Sequence, residues 1–335
     1  METQQLNLQE VEQLALDALR GAGASVQAAA SVAKSTYAAE RDGIRSHGLL
    51  YVPIYCEHVR CGKVDGQAVP AVTRPAASAI RVDAGSGFAH PAIDAGFEAL
   101  TDAARQNGCA ALTVYNSYNC GVLGYHVERL AEAGFLGLGF TNAPASIAPV
   151  GGKVKVIGTN PFGVGVPDGK GGAAIVIDQS ASVIAKSEIA MRAREGMAIP
   201  EGWALDPDGN PTTDPAVALQ GSMTPSGGYK GFGVGLLVEL LAAALSGATL
   251  GKDASPFAGT AGGPPRTGQC FIALAPDPMS GGGFAERVEG LVDAITGQEG
   301  ARLPGARRQE NRQRIEAEGV AVDRKLIETI SSYIS

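Results

Sequence analysis

Apolar residues near the start of the chain recur at the spacing of one helix face. Between residues 8 and 19 they fall at positions 11, 14, 15, 18 and 19, and this periodicity predicts an amphipathic helix. Glycines at positions 21 and 23 end the pattern, and Ser25 is a candidate N-cap for a second helix that reaches about Asp42. The chain is therefore predicted to open with a helical hairpin.

Helical and strand patterns alternate further along. Residues 91–107, 122–133, 284–295 and 322–334 have the helical period, whereas 79–83, 110–115, 136–141, 173–178 and 269–274 are short apolar runs typical of buried strands. The segment from Pro70 to Pro75 predicts an extended connector. This alternation indicates an α/β fold with a central sheet that is mixed rather than all-parallel.

Two longer segments have patterns of their own. Residues 196–231 are rich in proline, glycine and aspartate, which predicts a long ordered loop. Residues 232–246 are apolar nearly all round, which predicts a buried helix. Glu239 lies inside this apolar stretch, so we expect its carboxylate to have a hydrogen-bonding partner.

Composition limits the class of protein. A chain of 335 residues is longer than one hydrophobic core usually serves, so two or three structural lobes are expected. Hydrophobic residues make up 45% of the chain, which also has 46 glycines and 19 prolines; this is typical of a globular α/β enzyme with many tight loops. The net charge is −7 and no run of lysine or arginine could neutralise a row of phosphates, which argues against nucleic acid as a partner.

Targeting signals and cysteine spacing indicate a location. The first five residues have neither the basic nor the apolar region of a secretory signal, and no uncharged apolar stretch is long enough to span a membrane. The five cysteines are odd in number and lack C-x-x-C spacing, so they indicate neither a disulfide framework nor a metal site. The sequence therefore predicts a cytoplasmic protein with no membrane partner and no metal.

His47 is the first candidate for chemistry. It lies in the segment Arg45-Ser46-His47-Gly48, where the glycine frees the backbone and Ser46 could hydrogen-bond the imidazole or its substrate. One interpretation makes His47 a proton donor; the other makes it the last residue of a helix, and residue spacing leaves both open. The other three histidines fit structural roles better.

Asp178 is the second candidate because it ends an apolar strand. It could be buried beside an imidazole, fix its tautomer and raise its pKa. It could equally cap the following helix. The residues alone do not separate these two interpretations.

Anion-binding turns are the third feature. The dinucleotide fingerprint G-x-G-x-x-G is absent from a strand-to-helix context, and the glycines of 231–235 suit helix packing as well as phosphate binding. The segment 226–231 places Lys230 in a glycine-rich turn before a helix, which favours a pyrophosphate. At residues 304–308, Arg307 and Arg308 could grip a phosphate, or could form a solvated charged surface.

Several segments together carry a family resemblance. They are Asp42 to Gly48, Gly158 to Pro161, the strand-end Asp178, Pro200 to Ala204, Pro211 to Pro215, Gly227 to Gly231 and Leu303 to Gly305. In these segments the chain resembles the malate/L-lactate dehydrogenase family, which is distinct from Rossmann-type dehydrogenases. Through Gly87 to Ala92, Asn116-Ser117 and Pro304 to Arg308 it is most similar to the branch that reduces Δ1-piperideine-2-carboxylate and Δ1-pyrroline-2-carboxylate.

The resemblance implies roles for individual residues. His47 would be the proton donor, Ser46 and Asp178 its relay, and Thr159 and Tyr51 substrate contacts. The residues implied to hold NADPH or NADH are Asn116, Ser117, Tyr118, Asn119, Cys120, Gly121, Ile177, Ser180, Ser182, Tyr229, Lys230, Gly305, Arg307 and Arg308.

The family also implies an architecture. Its fold is an unusual, non-Rossmann α/β arrangement with a mixed sheet, and its members are dimers with the cleft between subunits. For this chain we expect a helical lobe of residues 1–75 with 296–335, an α/β substrate-side lobe of 76–133 and a cofactor-binding lobe of 134–295. A homodimer with its active site at the subunit interface is the corresponding expectation.

The chain departs from the family pattern at two places. Family members usually have an arginine three residues after the glycine of Ser-His-Gly, where it can clamp a substrate carboxylate, and this chain has Tyr51. A phenol does not replace a bidentate guanidinium, so Arg45 or another basic residue would bind the carboxylate, or the substrate differs. The histidine-containing cofactor loop is altered to Tyr118-Asn119-Cys120.

These inferences predict a reductase of small cyclic 2-imino acids that uses NAD(P)H and yields proline or pipecolate. Arg307 and Arg308 favour NADPH, because a 2′-phosphate rewards nearby guanidiniums. The alternative within enzymes is a 2-hydroxy-acid dehydrogenase acting on malate, lactate or ureidoglycolate. An alternative of another class is a dimeric cofactor-binding protein without turnover.

Overall fold

The computed structural model describes residues 2–334. Its strands are β1 (Thr3–Leu6), β2 (Ala71–Ala76), β3 (Ala79–Asp83), β4 (Cys109–Ser117), β5 (Leu136–Thr141), β6 (Phe162–Pro167), β7 (Ala173–Gln179), β8 (Ala204–Leu205), β9 (Pro211–Thr212), β10 (Ser222–Met223), β11 (Thr267–Leu274) and β12 (Val320–Asp323). Its helices are α1 (Leu8–Gly21), α2 (Val26–Arg41), α3 (Val52–Arg60), α4 (Ala89–Asn107), α5 (Leu123–Glu132), α6 (Lys186–Glu195), α7 (Pro215–Gln220), α8 (Tyr229–Glu239), α9 (Pro276–Ser280), α10 (Phe284–Thr296), α11 (Ala306–Glu318) and α12 (Arg324–Ser331).

The chain opens with the predicted helical hairpin, α1 and α2. Asn7 caps α1 through a capping box, in which the Glu10 N–H donates to Asn7 Oδ1 at 2.9 Å and the Asn7 N–H donates to Glu10 Oε2 at 2.8 Å. Ser25 caps α2, as its sequence position predicts. The hairpin packs against the end of the chain, because β1 pairs antiparallel with β12.

A seven-stranded sheet in the order β2-β3-β4-β11-β5-β6-β7 forms the centre of the molecule. Only β3 and β4 pair in parallel and the remaining pairs are antiparallel, so the prediction of a mixed sheet is confirmed. The connector expected at 70–75 is instead the edge strand β2. Strand β6 was not predicted, because its alternating glycines weaken the strand pattern; a Cβ at Gly165 would collide with the backbone of Val127 in α5.

Helices α4 and α5 cover this sheet and form its core. Leu112, Val114, Val127 and Phe271 are fully or almost fully buried there. The predicted boundary between residues 133 and 134 falls between α5 and β5, and α5 packs on the sheet that contains β5. The division into three lobes stays a prediction. Among residues 2–334, no helix combines the length and apolar character that a membrane crossing requires.

The segment 196–231 differs from the predicted loop. It folds into a three-stranded sheet, β10-β8-β9, and into helix α7, whose N-terminus is capped by Asp214. Helix α8 also begins inside the segment, at Tyr229. The two-residue strands are too short to leave a periodic pattern in the sequence, which is why the segment was predicted to be a long ordered loop without strands or helices.

The apolar helix expected at 232–246 is α8 with a π-helical turn, Leu240–Ala244, and the prediction that it is buried was wrong. Leu237, Leu240 and Leu245 are 49%, 53% and 61% exposed, whereas the opposite face is buried. Glu239 lies on that buried face. Its predicted partners are present: Oε1 accepts the Gly251 N–H at 2.6 Å and Oε2 accepts the Asn160 amide at 2.7 Å.

Candidate active site

A cavity of about 520 Å³ collects many of the residues singled out in the sequence. It lies where the turn after α2, the start of α5, the end of β7 and the start of α11 meet. The predicted residues that line it are Ser46, His47, Tyr51, Gly121, Thr159, Asp178, Ser180 and Arg308. Residues that are far apart in sequence therefore share one concave surface, which is typical of a small-molecule site.

His47 is carried by a short 3-10 turn, Arg45–His47, and a second turn, Leu49–Tyr51, follows directly. Ser46 Oγ lies 3.0 Å from His47 Nδ1, within hydrogen-bonding distance. The rings of His47 and Tyr51 are nearly parallel, with centroids 6.2 Å apart. The interpretation of His47 as a helix end therefore accounts for its backbone, while its imidazole lines the cavity.

Burial and Asp178 act in opposite directions on His47. Burial lowers the pKa of His47 below that of a free imidazole, and the negative charge of Asp178 raises it. The carboxylate therefore favours the protonated form of the imidazole in a cavity that would otherwise favour the neutral form. Burial has the larger effect, so the pKa of His47 lies below its ordinary value, and Asp178 limits the loss of the protonated form that a proton donor needs.

Asp178 is fixed by two donors other than an imidazole. Its Oδ2 accepts the Gly124 N–H at 2.8 Å and the Arg308 guanidinium Nη2–H at 3.0 Å. Because Gly124 lies in the first turn of α5, Asp178 caps that helix across space rather than the helix that follows it in sequence. Its effect on His47 is through charge.

Helix α11 brings Arg308 to the cavity and is itself tied down by buried ion pairs. Arg312 donates to Asp42 Oδ1 at 2.6 Å and to Glu128 Oε2 at 2.6 Å. These pairs join α11 to the end of α2 and to α5. These ion pairs fix the position of α11, from which Arg308 reaches Asp178.

The loop before α5 shapes the cavity wall through its backbone. Asn119 Oδ1 accepts the Gly121 N–H at 2.6 Å, and Gly121 has a φ of +67°, which glycine adopts without strain. His126 Nε2 donates to the Cys120 carbonyl at 3.0 Å. This local bonding turns Gly121 toward the cavity while the Cys120 side chain stays buried.

Tyr118 is a core residue and lies behind Tyr51. Its side chain is 1% exposed, and its hydroxyl is hydrogen-bonded to His58 Nδ1. Burial raises the pKa of Tyr51, and the neighbouring Tyr118 and Asn119 side chains lower it. The two places that depart from the family pattern, Tyr51 and the loop that contains Tyr118 and Asn119, are therefore neighbours in space.

The remaining predicted cofactor residues do not line this cavity in the single chain. They are Asn116, Ser117, Asn119, Ile177, Ser182, Tyr229, Lys230, Gly305 and Arg307, together with the buried Tyr118 and Cys120. Gly305 lines a smaller cavity of about 50 Å³ that shares Arg308. Tyr229, Lys230 and Arg307 are exposed on the surface.

Several lining residues were given no individual role from the sequence. They are Ile44, Val122, Leu123, Pro161, Gln179, Ala185, Lys186 and Ser187. Lys186 is the most informative of these, because burial and the nearby Lys155 lower its pKa. A lysine at the first position of a helix has no sequence signal that separates it from any surface lysine.

Two further histidines lie directly behind the cavity. His90 and His126 are each 1% exposed, with ring centroids 5.8 Å apart. Burial lowers the pKa of His90 to about 4 and that of His126 to about 3. Both imidazoles are therefore neutral at neutral pH, as suits side chains with a structural role in the core.

Comparison with known proteins assigns the family. The malate/L-lactate dehydrogenase family model matches residues 6–331. The chain belongs to this family of oxidoreductases, and the resemblance inferred from its segments is confirmed.

Individual relatives cover nearly the whole chain. The (2R)-3-sulfolactate dehydrogenase (NADP(+)) of Chromohalobacter salexigens is 41% identical and covers 98% of this chain and 97% of the relative. The Δ1-pyrroline-2-carboxylate reductase of Ancylobacter novellus is 39% identical and covers 95% and 94%. The crystal structure of Δ1-piperideine-2-carboxylate reductase from Pseudomonas syringae pv. tomato superposes with a TM-score of 0.93, at 36% identity, over 99% of this chain and 100% of that one. The non-Rossmann α/β fold predicted from the sequence is thereby confirmed.

Proposed function

We propose that this protein uses NADPH to reduce the C=N bond of a small cyclic 2-imino acid, giving proline or pipecolate. The observation that carries the proposal is the meeting of Ser46, His47 and Asp178 in one cavity beside a wall of apolar side chains. Such a wall suits an aliphatic ring better than a second charged group. The similarity to reductases of Δ1-pyrroline-2-carboxylate and Δ1-piperideine-2-carboxylate supports the same substrate class.

The cavity fits a nicotinamide dinucleotide. Gly121, Ser180 and Arg308, three of the predicted cofactor residues, line its wall. The apolar Ile44 and Pro161 side chains offer a dry surface for the ring. When bound, the reduced cofactor supplies the hydride that is added at C2.

His47 supplies the proton. Donation from the imidazolium to the imine nitrogen completes the addition of one hydride and one proton across C=N. Ser46 holds Nδ1 and so orients the ring, and Asp178 raises the pKa of the imidazole. Thr159 and Tyr51 line the same cavity and hold the substrate in place.

Lys186 is the residue that we propose to bind the substrate carboxylate. Of the cationic side chains that line the cavity, Arg308 is bound to Asp178, and His47 is the proton donor. Arg45 donates to the Ala321 carbonyl at 3.3 Å and does not line the cavity. Lys186 is therefore the remaining cation that can bind the carboxylate. The negative charge of that carboxylate would offset the repulsion that Lys155 exerts on the Lys186 ammonium.

Replacing Lys186 by methionine tests this role. We expect KM for the imino acid to rise about 10- to 100-fold, because a charge-assisted hydrogen bond contributes about 1.5–3 kcal/mol. The dissociation constant of NADPH should not change. Lys155→Met is the matched control, and equal KM values for wild type and Lys186→Met would refute the assignment.

The substrate class is tested by following NADPH oxidation with four compounds offered separately: Δ1-pyrroline-2-carboxylate, Δ1-piperideine-2-carboxylate, pyruvate and oxaloacetate. We expect turnover of the two cyclic imines at kcat/KM values well above those of the keto acids. Turnover of keto acids alone would reassign the protein. NADPH binding without any turnover would favour the non-catalytic alternative.

A 2-hydroxy-acid dehydrogenase is the second candidate function, and a specific observation favours it. The sulfolactate dehydrogenase relative is 41% identical to this chain, and two cations, Lys186 and Arg308, line the cavity. In that reaction His47 would accept the proton of the substrate hydroxyl. The keto acids in the panel above distinguish the two reactions.

We also propose that the protein is a homodimer. The exposed apolar face of α8 is unusual for a monomer, and a second copy of the chain would cover it. Tyr229 and Lys230, two of the predicted cofactor residues outside the cavity, lie in the first turn of the same helix. A cytoplasmic location and a preference for NADPH over NADH stay predictions from the sequence.

A further inference from the structure

A buried carboxylate lies directly beneath the turn that carries His47. Glu40, in the last turn of α2, is 3% exposed. Its Oε1 accepts the N–H of Leu49 at 2.8 Å. A Cβ on Gly48 would overlap the same oxygen, so the carboxylate is packed against the backbone between His47 and Tyr51.

The two turns that Glu40 touches are held by the burial of Leu49 in the core and by a few hydrogen bonds. Within them, the His47 N–H donates to the Ile44 carbonyl at 3.0 Å and the Tyr51 N–H to the Gly48 carbonyl at 2.9 Å. These bonds are local, and short 3-10 turns have poorer hydrogen-bond geometry than an α-helix. The bond from Leu49 to Glu40 ties the junction of both turns to the long helix α2.

The choice of a carboxylate at this position has an energetic cost. Burial raises the pKa of Glu40, while the Leu49 N–H and the charge of Arg45 lower it. A carboxyl with a pKa above its unfolded value destabilises the folded state at pH values above that pKa, and the penalty disappears below the unfolded value. An apolar residue would avoid this penalty but would leave the buried Leu49 N–H without its acceptor, so the function of Glu40 is tied to that hydrogen bond.

We propose that Glu40 is a positioning residue for His47. Its Oε1 fixes the segment from Ser46 to Tyr51, so that the imidazole meets the substrate in one orientation. Glu40 does not line the cavity and acts through the turn. This inference rests on the proposed role of His47 as proton donor.

The test compares two substitutions of Glu40. Glu40→Gln keeps an acceptor for the Leu49 N–H, and Glu40→Ala removes it. We expect kcat of Glu40→Ala to fall about 10²-fold, as expected for a small displacement of a catalytic group, with an unchanged dissociation constant for NADPH. Glu40→Gln should stay within a few-fold of wild type. A wild-type kcat in Glu40→Ala, or an equal loss in both variants, would overturn the proposal.

A matched variant separates positioning from loss of stability. Leu19 is fully buried in the core beside α2, so Leu19→Ala should lower Tm at an unchanged kcat. If Leu19→Ala slows turnover as much as Glu40→Ala does, the effect of Glu40 is general destabilisation and the proposal fails.

A second readout does not depend on the substrate. The chain has four histidines, so the imidazole signals of His47 can be resolved by NMR in the free protein. We expect one sharp set of His47 signals in wild type and Glu40→Gln, and broadened or multiple signals in Glu40→Ala. Unchanged His47 signals in Glu40→Ala would refute positioning even if the proposed substrate is wrong, and altered signals in a protein inactive on imines would refute only the substrate.

Discussion

Turnover of the imino acid should fall by about 10²–10⁴-fold when His47 is replaced by glutamine, which is the usual contribution of a positioned general acid. The imidazole is the group in the cavity whose pKa burial lowers and the charge of Asp178 raises, with burial the larger effect. Glutamine fills a similar volume but cannot donate a full proton. Stopped-flow measurement of NADPH oxidation at saturating substrate gives kcat directly.

The affinity for NADPH is the control for this variant, and we expect it to stay within a few-fold of wild type. The pH dependence adds a sharper check. Because the imidazolium is the donor, kcat/KM should fall as the pH rises through the pKa of His47. Asp178→Asn removes the charge that raises this pKa, so the fall should move to lower pH; a profile that stays in place in Asp178→Asn would contradict the electrostatic role.

Replacing Leu237 and Leu240 together by glutamate should convert a dimer of this protein into monomers. Both side chains are about half exposed in the single chain, so the substitutions should change the free energy of unfolding of the monomer by about 0.5 kcal/mol or less. In a dimer that covers α8 they would bury two uncompensated charges per subunit. Light scattering coupled to size-exclusion chromatography measures the mass.

Enzymatic activity is the second measurement on the variant with glutamate at positions 237 and 240. If the cleft needs both subunits, the monomeric variant should lose turnover although its circular dichroism spectrum is native. Val26→Glu, at another exposed apolar position, should stay dimeric and active. A monomeric wild-type protein would contradict the proposal outright.

The sequence predicted those elements whose signals are local. Helices α1 and α2 have caps and a continuous apolar face, and β3 and β5 have short apolar runs, and all four were found within a few residues of their expected bounds. Strand β12 was taken as part of the last helix, because its pairing with β1 depends on the other end of the chain. The exposure of α8 was missed, since periodicity cannot tell whether an apolar surface faces a core or a second subunit.

The residues of the cavity also divide into those with a local signal in the sequence and those without one. The segment around His47 and the strand-end Asp178 could be identified as candidates because the side chains of histidine and aspartate exchange protons near neutral or mildly acidic pH. Lys186 and Glu40 could not, because a lysine at the start of a helix and a glutamate near a helix end are ordinary in sequence. Their roles depend on burial and on neighbours that only the folded chain brings together.

Strand β11 is in the middle of the sheet but comes late in the chain. It pairs with β4 on one side and β5 on the other, and both of these are synthesised long before Thr267. During synthesis the edges of β4 and β5 that β11 will cover stay open, and open edges invite pairing with other chains. The interior of the sheet therefore closes only late in translation, and the edges of β4 and β5 stay unpaired while the whole segment between Thr141 and Thr267 is made.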